Sequence, residues 1–283
     1  MQLKFAVKNY NPIDDAKLKE FTRVVDRILG LLSAKIKNKL DIEAVIGNNS
    51  ELQSHLSDDF KAKPEAFTKE NIIEEFLDFL GFKKDFRGME SELKQVFGKR
   101  YPDYKLIVKQ DFYVLVEAEP LNADLKKSDC GIHQVVSWIT DKACTTDYGI
   151  ATDGFRWFLI QYSLENHKHR IIKHVDLSPF FKEKVGFKSL LTEKEKFSLL
   201  KDFVLYFAKD YIDRSIEKEE LTLDVYQEEI SKKFYDEYMT LLFGNDKTKT
   251  FLLNSITGVN NLEAQRKIAQ IVIDRLIFIK FIE

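Results

Sequence analysis

The stretch YPDYKLIVKQDFYVLVEAEPLNADL, residues 101–125, decides how the chain is read. Tyr104 to Val108 and Phe112 to Glu119 are rich in β-branched and aromatic residues, and Lys109, Gln110 and Asp111 between them mark a hairpin. Asp103 follows a proline just ahead of the first strand. Glu117 and Glu119 stand two apart on the second, so their side chains leave the same sheet face, while Ala118 points the other way into packing. Pro120 ends the strand. Adjacent strands lie about 5 Å apart, which puts Asp103 within reach of both glutamates at one sheet edge. At ~4 Å and an effective dielectric of ~20, each like-charge pair costs about 4 kcal/mol. A hard divalent cation removes that penalty. Mg²⁺ binds through one or two carboxylates plus waters and phosphate oxygens, can lower the pKa of a bound water and can stabilise charge on a phosphodiester. The spacing therefore points to metal-assisted phosphodiester hydrolysis, with Asp103, Glu117 and Glu119 as metal-binding and catalytic candidates. Carboxyl groups that faced apart, or were locked to lysines, would contradict it. The bland alternative is that acids at strand ends are common.

On either side of this hairpin the periodicity alternates between helix and strand. Residues 14–40 carry Leu, Phe, Val and Ile at helical spacing behind Asp14 and Asp15, which suit a helix N-terminus. Residues 42–63 are polar and fit a loop or short helix. Ile72, Ile73, Phe76, Leu77 and Leu80 form one stripe of a helix over 68–80, and Gly81 is its stop. Residues 131–143 return to helical spacing. Residues 148–152, 155–162 and 170–175 have strand texture, with Asp153-Gly154 as a tight turn between the first two. Helix, strands, helix, strands predicts a mixed α/β core with helices on a central sheet. From Ser178 the strands stop, and residues 192–213, 224–243 and 262–283 each have the pattern of an amphipathic helix. The last ends in IVIDRLIFIKFIE, an apolar face that wants a partner, so the chain reads as truncated.

Composition narrows the function. The 283 residues are 44% hydrophobic and 32% charged, which suits a globular protein with a sizeable core. No stretch reaches the ~18 apolar residues of a membrane helix, and MQLKFAVKNYNPIDD lacks the features of an export signal. Cys130 and Cys144 are the two cysteines, too few for a disulfide scaffold, so the expected compartment is the cytoplasm. The formal charge of −2 argues against a stand-alone sequence-specific DNA binder. Between Gly81 and Cys130, however, ten Lys and Arg face nine Asp and Glu, three of which are the site candidates.

Beyond the acids themselves, Pro102-Asp103 followed by Glu117-Ala118-Glu119 resembles the PD-(D/E)xK nuclease motif. The string VLVEAEPLNADL, then Gln134 with Trp138, then YGIATDGFRWFLIQ, is similar to the N-terminal nuclease segment of type IIG restriction enzymes and of type I restriction subunits. Glu65-Ala66-Phe67-Thr68 and NIIEEFLDFLGF resemble their leading helix, and RLIFIKFIE looks like their helical connector to an adenine-methylating domain. The similarity covers roughly residues 62–165, and 262–283 more loosely. It implies a restriction-endonuclease-like mixed sheet flanked by helices, followed by an all-helical connector. The segments would be an N-terminal helical extension at 1–61, a nuclease core at 62–177 and the connector at 178–283. It implies Asp103 and Glu117 as metal ligands, Gln134 as a contact to the site or the DNA backbone, and Glu65 as a more distant acidic partner. Glu119 departs from the pattern, which wants a lysine there to orient water and offset phosphate charge. An ionised carboxylate could instead accept a proton from water or help hold the metal.

The resemblance thus implies an Mg²⁺-dependent endonuclease acting on double-stranded DNA, with Mn²⁺ as an alternative metal. Target-recognition and methyltransferase parts, the latter using S-adenosylmethionine, would lie downstream. The competing reading is a nuclease fold kept as a DNA-binding or scaffolding module, its catalysis lost with the lysine. The chain contains neither an NPPY-like methylation motif nor a GxxxxGK[ST] loop, so it carries no methyltransferase or ATP motor of its own. His167, His169 and His174 lack a completing Cys or acid for zinc, and Cys144 receives no catalytic role. Trp138 and Trp157 are expected in the core, as is the stripe Phe197, Phe203, Tyr206, Phe207 and Tyr211.

Overall fold

The computed structural model describes residues 12–57, 63–88, 90–97, 101–141, 144–163, 168–188, 191–217, 240, 252, 256–259 and 261–282. The chain divides into two compact units, Met1–Glu217 and Lys218–Glu283. In the second, helix α7 spans Leu262–Ile282. The helix expected over 224–243 lies outside the described residues, as does His167.

The first unit is built on a five-stranded sheet in the order β1-β2-β3-β4-β5, comprising Tyr104–Lys109, Phe112–Ala118, Tyr148–Thr152, Arg156–Ser163 and Lys168–Asp176. Three of the four neighbouring pairs are antiparallel partners in sequence, and β2 and β3 alone run parallel, with Glu117 opposite Ala151 and Ala118 opposite Thr152. A parallel pair needs a long crossover, and helix α4, Ile132–Ile139, lies within it. The other helices are α1 (Asp15–Lys35), a composite α2 (Pro64–Thr68, Lys69–Ile73, Glu74–Phe79), α3 (Glu90–Phe97), α5 (Ser178–Lys184) and α6 (Glu193–Phe207). This is a mixed α/β unit with helices on both faces of its sheet.

The strand alternation sorts the core. Val114, Val116 and Ala118 of β2 face one layer with Phe21, Phe76, Trp157, Phe181, Phe203 and Phe207. Aromatic rings hold that layer together: Phe76 meets Trp157 and Phe203 edge to face at centroid distances of 6.2 and 5.6 Å, a geometry favoured by the ring quadrupole. Leu115 faces the opposite layer with Ile132, Val135 and Ile139 of α4, and Glu117 shares that face by the period of two. The large core runs from Ile13 to Ile216, so α1 and α6 pack with the central segment across both positions where sequence texture changes, 61/62 and 177/178.

The helix expected over 68–80 begins at Pro64 and contains a π-turn over Lys69–Ile73. Such turns widen a helix locally and recur at functional sites. Gly81 stops it at φ 88°. The Asp153-Gly154 turn is also present, with Gly154 at φ 91°. Trp157 is fully buried and Trp138 is half-buried against the core between α4 and the sheet, whereas Phe197 is exposed, which corrects its expected core placement. Trp138 turns toward a cleft, and Phe197 lies on the outer side of α6, beside a groove against α1 and α5. Among the described residues, no helix is long and apolar enough to cross a membrane.

Candidate active site

Three elements build the site at the end of β1 and β2. Asp103 stands one residue ahead of β1, and its Oδ2 accepts the Ala118 N–H at 2.8 Å, extending the hairpin through a side chain. Glu117, on the α4 face of β2, accepts from the Trp138 indole N–H at 2.7 Å. Helix α2 completes the group. Buried Thr68 accepts the Leu121 N–H at 3.0 Å and donates to the Pro64 carbonyl at 2.9 Å, pinning the helix to the loop that leaves β2. The π-turn starts at the next residue, Lys69, whose ammonium bonds Asp103 Oδ1 and stands 3.9 Å from the Glu65 carboxylate.

Asp103, Glu117, Glu65, Lys69, Gln134 and Trp138 line one cleft of about 1230 Å³. Its walls carry six carboxylates, those of Glu65, Glu70, Glu74, Asp103, Glu117 and Asp129, against three permanent cations, Lys69, Lys84 and Arg87. Arg87 is already committed to Asp78 at 2.8 Å and to the Phe82 carbonyl at 2.9 Å. The cleft is therefore acidic, although the linear window from Gly81 to Cys130 is locally basic outside its site acids.

The acidic surroundings bear most heavily on Glu117. Burial, then Asp103 and the more distant Glu119 and Glu65, push its carboxyl up to about 8 against the pull of the Trp138 N–H. Glu65 is raised for similar reasons, burial first and Asp103 next, although Lys69 opposes. Lys69 is itself raised: burial works against its charge, but Asp103, Glu65 and Glu117 outweigh it. One ammonium thus serves three mutually repelling acids, Asp103, Glu65 and Glu117.

Of the three carboxylates expected to converge, the structure brings Asp103 and Glu117 to the cleft and sends the third elsewhere. Glu119 Oε1 accepts the Gly131 N–H at 2.7 Å, at the N-cap of α4. A negative charge there complements the helix dipole and holds α4, with Gln134 and Trp138, against the end of β2. Glu119 also raises the Cys130 thiol, after burial, to about 12. Among the described residues, no group of three His, Cys, Asp or Glu side chains is gathered to hold a metal. The expected three-carboxylate pocket is corrected accordingly. The backbone turn at Gly131 (φ 43°), twelve residues on, presents the N–H that Glu119 accepts from.

Gln134 lies where the sequence argument wanted it, lining the cleft, and its buried Oε1 has no hydrogen-bond partner. The buried Tyr104 hydroxyl is unpartnered too. Glu65 stands beside Lys69 rather than beside Glu117 as a direct neighbour. Two participants escaped the sequence reading. Trp138 was assigned to the core, and Lys69 was not singled out at all. The Asp103–Lys69 pair is the kind of lysine contact named above as adverse to hydrolysis, although it engages one oxygen of one acid, and among the described residues Glu117 forms no ion pair of its own.

Set against known proteins, the chain matches no family model and no solved structure. It is 34% identical, over 295 aligned positions, to a protein of Methanocaldococcus jannaschii named "Putative type II restriction enzyme and methyltransferase". The alignment takes in 94% of this chain and 24% of that protein. The chain is thus related to a protein bearing a restriction-enzyme name, and spans about a quarter of that relative's length.

Proposed function

We propose that the chain is the DNA-cleaving part of a restriction-modification protein, an Mg²⁺-dependent endonuclease domain with a PD-(D/E)xK-type site. The observation that carries the reading is Glu117, a half-buried carboxyl raised to about 8 beside Asp103 in an acidic cleft. A buried acid that shares its site with other acids is stabilised by an added cation. The donor set fits a hard divalent ion: carboxylate oxygens of Asp103 and Glu117, and the unpartnered amide oxygen of Gln134. Mg²⁺, or Mn²⁺ in its place, would be held by Asp103 and Glu117, and it would supply a more acidic bound water and charge stabilisation on the phosphodiester. Gln134 faces the cleft as an acceptor that can orient a water. Glu119 holds the start of α4 and so sets the position of Gln134 and Trp138. The acidic walls repel a DNA backbone until they are neutralised, so substrate entry and cation binding are coupled.

Double-stranded DNA is the substrate this reading requires. Target choice and methylation would belong to other parts of the parent protein, in keeping with a relative of Methanocaldococcus jannaschii whose printed name joins a restriction enzyme to a methyltransferase. The Asp103–Lys69 ion pair favours a second reading, a DNA-binding module without catalysis. One experiment separates them. The protein, carried on its full reading frame, is incubated with supercoiled DNA and Mg²⁺ or Mn²⁺, and nicking is followed on a gel. The nuclease reading expects cuts that disappear in Asp103→Ala. Equal cutting by parent and variant would remove Asp103 from the site, and no cutting with either ion would leave the binding module.

A further inference from the structure

We propose that Lys69 is the cationic catalytic residue of this site, the ammonium that meets the charge developing on the scissile phosphate. The inference rests on the nuclease reading above. It begins from placement. Among the three permanent cations of the cleft, Arg87 is occupied by Asp78 and the Phe82 carbonyl, and its side chain is largely buried. Lys69 is the one in contact with a candidate metal ligand, and its side chain remains 27% exposed, on the cleft side of α2. It reaches this position because the π-turn starts there and Thr68, one residue earlier, is tied to the loop after β2.

An ion pair that only neutralised Asp103 would lose its purpose once a divalent cation sat on that carboxylate. Asp103 Oδ2 is taken by the Ala118 N–H, so Oδ1, where Lys69 now bonds, is the oxygen a cation would claim. The displaced ammonium stays tethered to α2 with Glu65 and the Tyr104 ring nearby, the latter 5.8 Å away. It remains facing the cleft, where a phosphate beside Asp103 and Glu117 would lie. In hydrolysis a water oxygen bonds to phosphorus while the bond from phosphorus to the leaving oxygen breaks. The water gives up one proton, and the leaving oxygen gains one through solvent. Lys69 keeps its protons throughout and acts by charge on the non-bridging oxygens. A fixed donor at that point typically contributes about 10²–10³-fold to kcat.

The test uses Lys69→Met and Lys69→Arg beside Asp103→Ala, with two readouts: Mn²⁺ binding in the absence of DNA, and cleavage at saturating Mn²⁺. The expected result is that Lys69→Met binds Mn²⁺ at least as tightly as the parent, because a competitor for Asp103 is gone, yet cleaves about 100-fold more slowly. Lys69→Arg, which keeps the charge, recovers a measurable part of the rate. A purely structural salt bridge predicts the reverse: weakened metal binding, and an unchanged rate once metal saturates. Either Lys69→Met cutting at the parental rate or its losing Mn²⁺ binding overturns the inference. If Lys69→Met cuts normally while Asp103→Ala is inert, only Lys69 falls. If the parent fails to cut, the nuclease reading and this inference fall together.

Discussion

Asp153 and Glu117 are acids withdrawn from solvent at the same end of the sheet, Asp153 fully buried just past β3 and Glu117 half-buried opposite Ala151 of β3, yet they are partnered in contrasting ways. Asp153 is fully buried and saturated. It receives backbone N–H groups from Asn122, Phe155 and Arg156 and a two-pronged contact from the Arg156 guanidinium. Burial raises its pKa, while Arg156 and those N–H groups pull the other way. Glu117 has one indole N–H and a set of acidic neighbours. The contrast separates two uses of a carboxylate withdrawn from solvent. One carries its own counter-ion and ties the β3–β4 turn to the chain after β2. The other has no ion pair of its own among the described residues and shares Lys69 only at a distance, and that deficit is what a metal ion would fill.

The largest expected effect breaks the first half of that contrast. Asp153→Ala strands Arg156 and three backbone donors and should lower the unfolding free energy by about 3 kcal/mol in a urea titration. Glu117→Gln, a neutral isostere that no longer has to hold a proton in the folded state, should leave the metal-free protein at least as stable as the parent at neutral pH. Equal destabilisation by the two would erase the distinction between them.

A pH titration sharpens it. Glu117 is raised to about 8 in the folded protein, against an ordinary carboxylate value of 4.5. Between these values the unfolded chain has released the proton and the folded chain has kept it. Stability of the metal-free protein should therefore be highest near pH 5 and fall as pH climbs toward 8, at up to about 1.4 kcal/mol per pH unit. Glu117→Gln should flatten that slope. A slope that survives the substitution would place the proton elsewhere. The smallest effect is that of Trp138→Phe. Losing the indole N–H removes the single donor that lowers the Glu117 pKa, so the falling limb should move to higher pH, and an unmoved limb would mean that this hydrogen bond contributes little.

The sheet was largely legible in the sequence because its signals are local. Strand alternation in 104–119, Asp153-Gly154 between two apolar runs, and helical spacing over 131–143 each depend on neighbours in the chain. The five strands fall within a few residues of the expected bounds. The site was legible only in part. Asp103 and Glu117 follow from the hairpin, but the destination of Glu119 depends on a backbone N–H twelve residues away, and no periodicity reports that. Lys69 lies 34 residues from Asp103 on another element, shifted by a π-turn that has no sequence signature. The same distance explains the charge error. Counting along 81–130 suggested a basic surface outside the site acids, whereas Glu65, Glu70 and Glu74 arrive from α2 and make the cleft acidic. Trp138 was counted as core because an indole on an amphipathic helix usually is, and its N–H serves Glu117 besides.

The central claim is that Asp103 and Glu117 form an under-compensated pair that seats a divalent cation. Titrating metal-free protein with Mn²⁺ and following free Mn²⁺ by electron paramagnetic resonance tests it most directly. The account predicts saturable binding by the parent that is lost in both Glu117→Gln and Asp103→Ala. Absence of binding by the parent, or binding by Glu117→Gln as tight as the parent's, would contradict it.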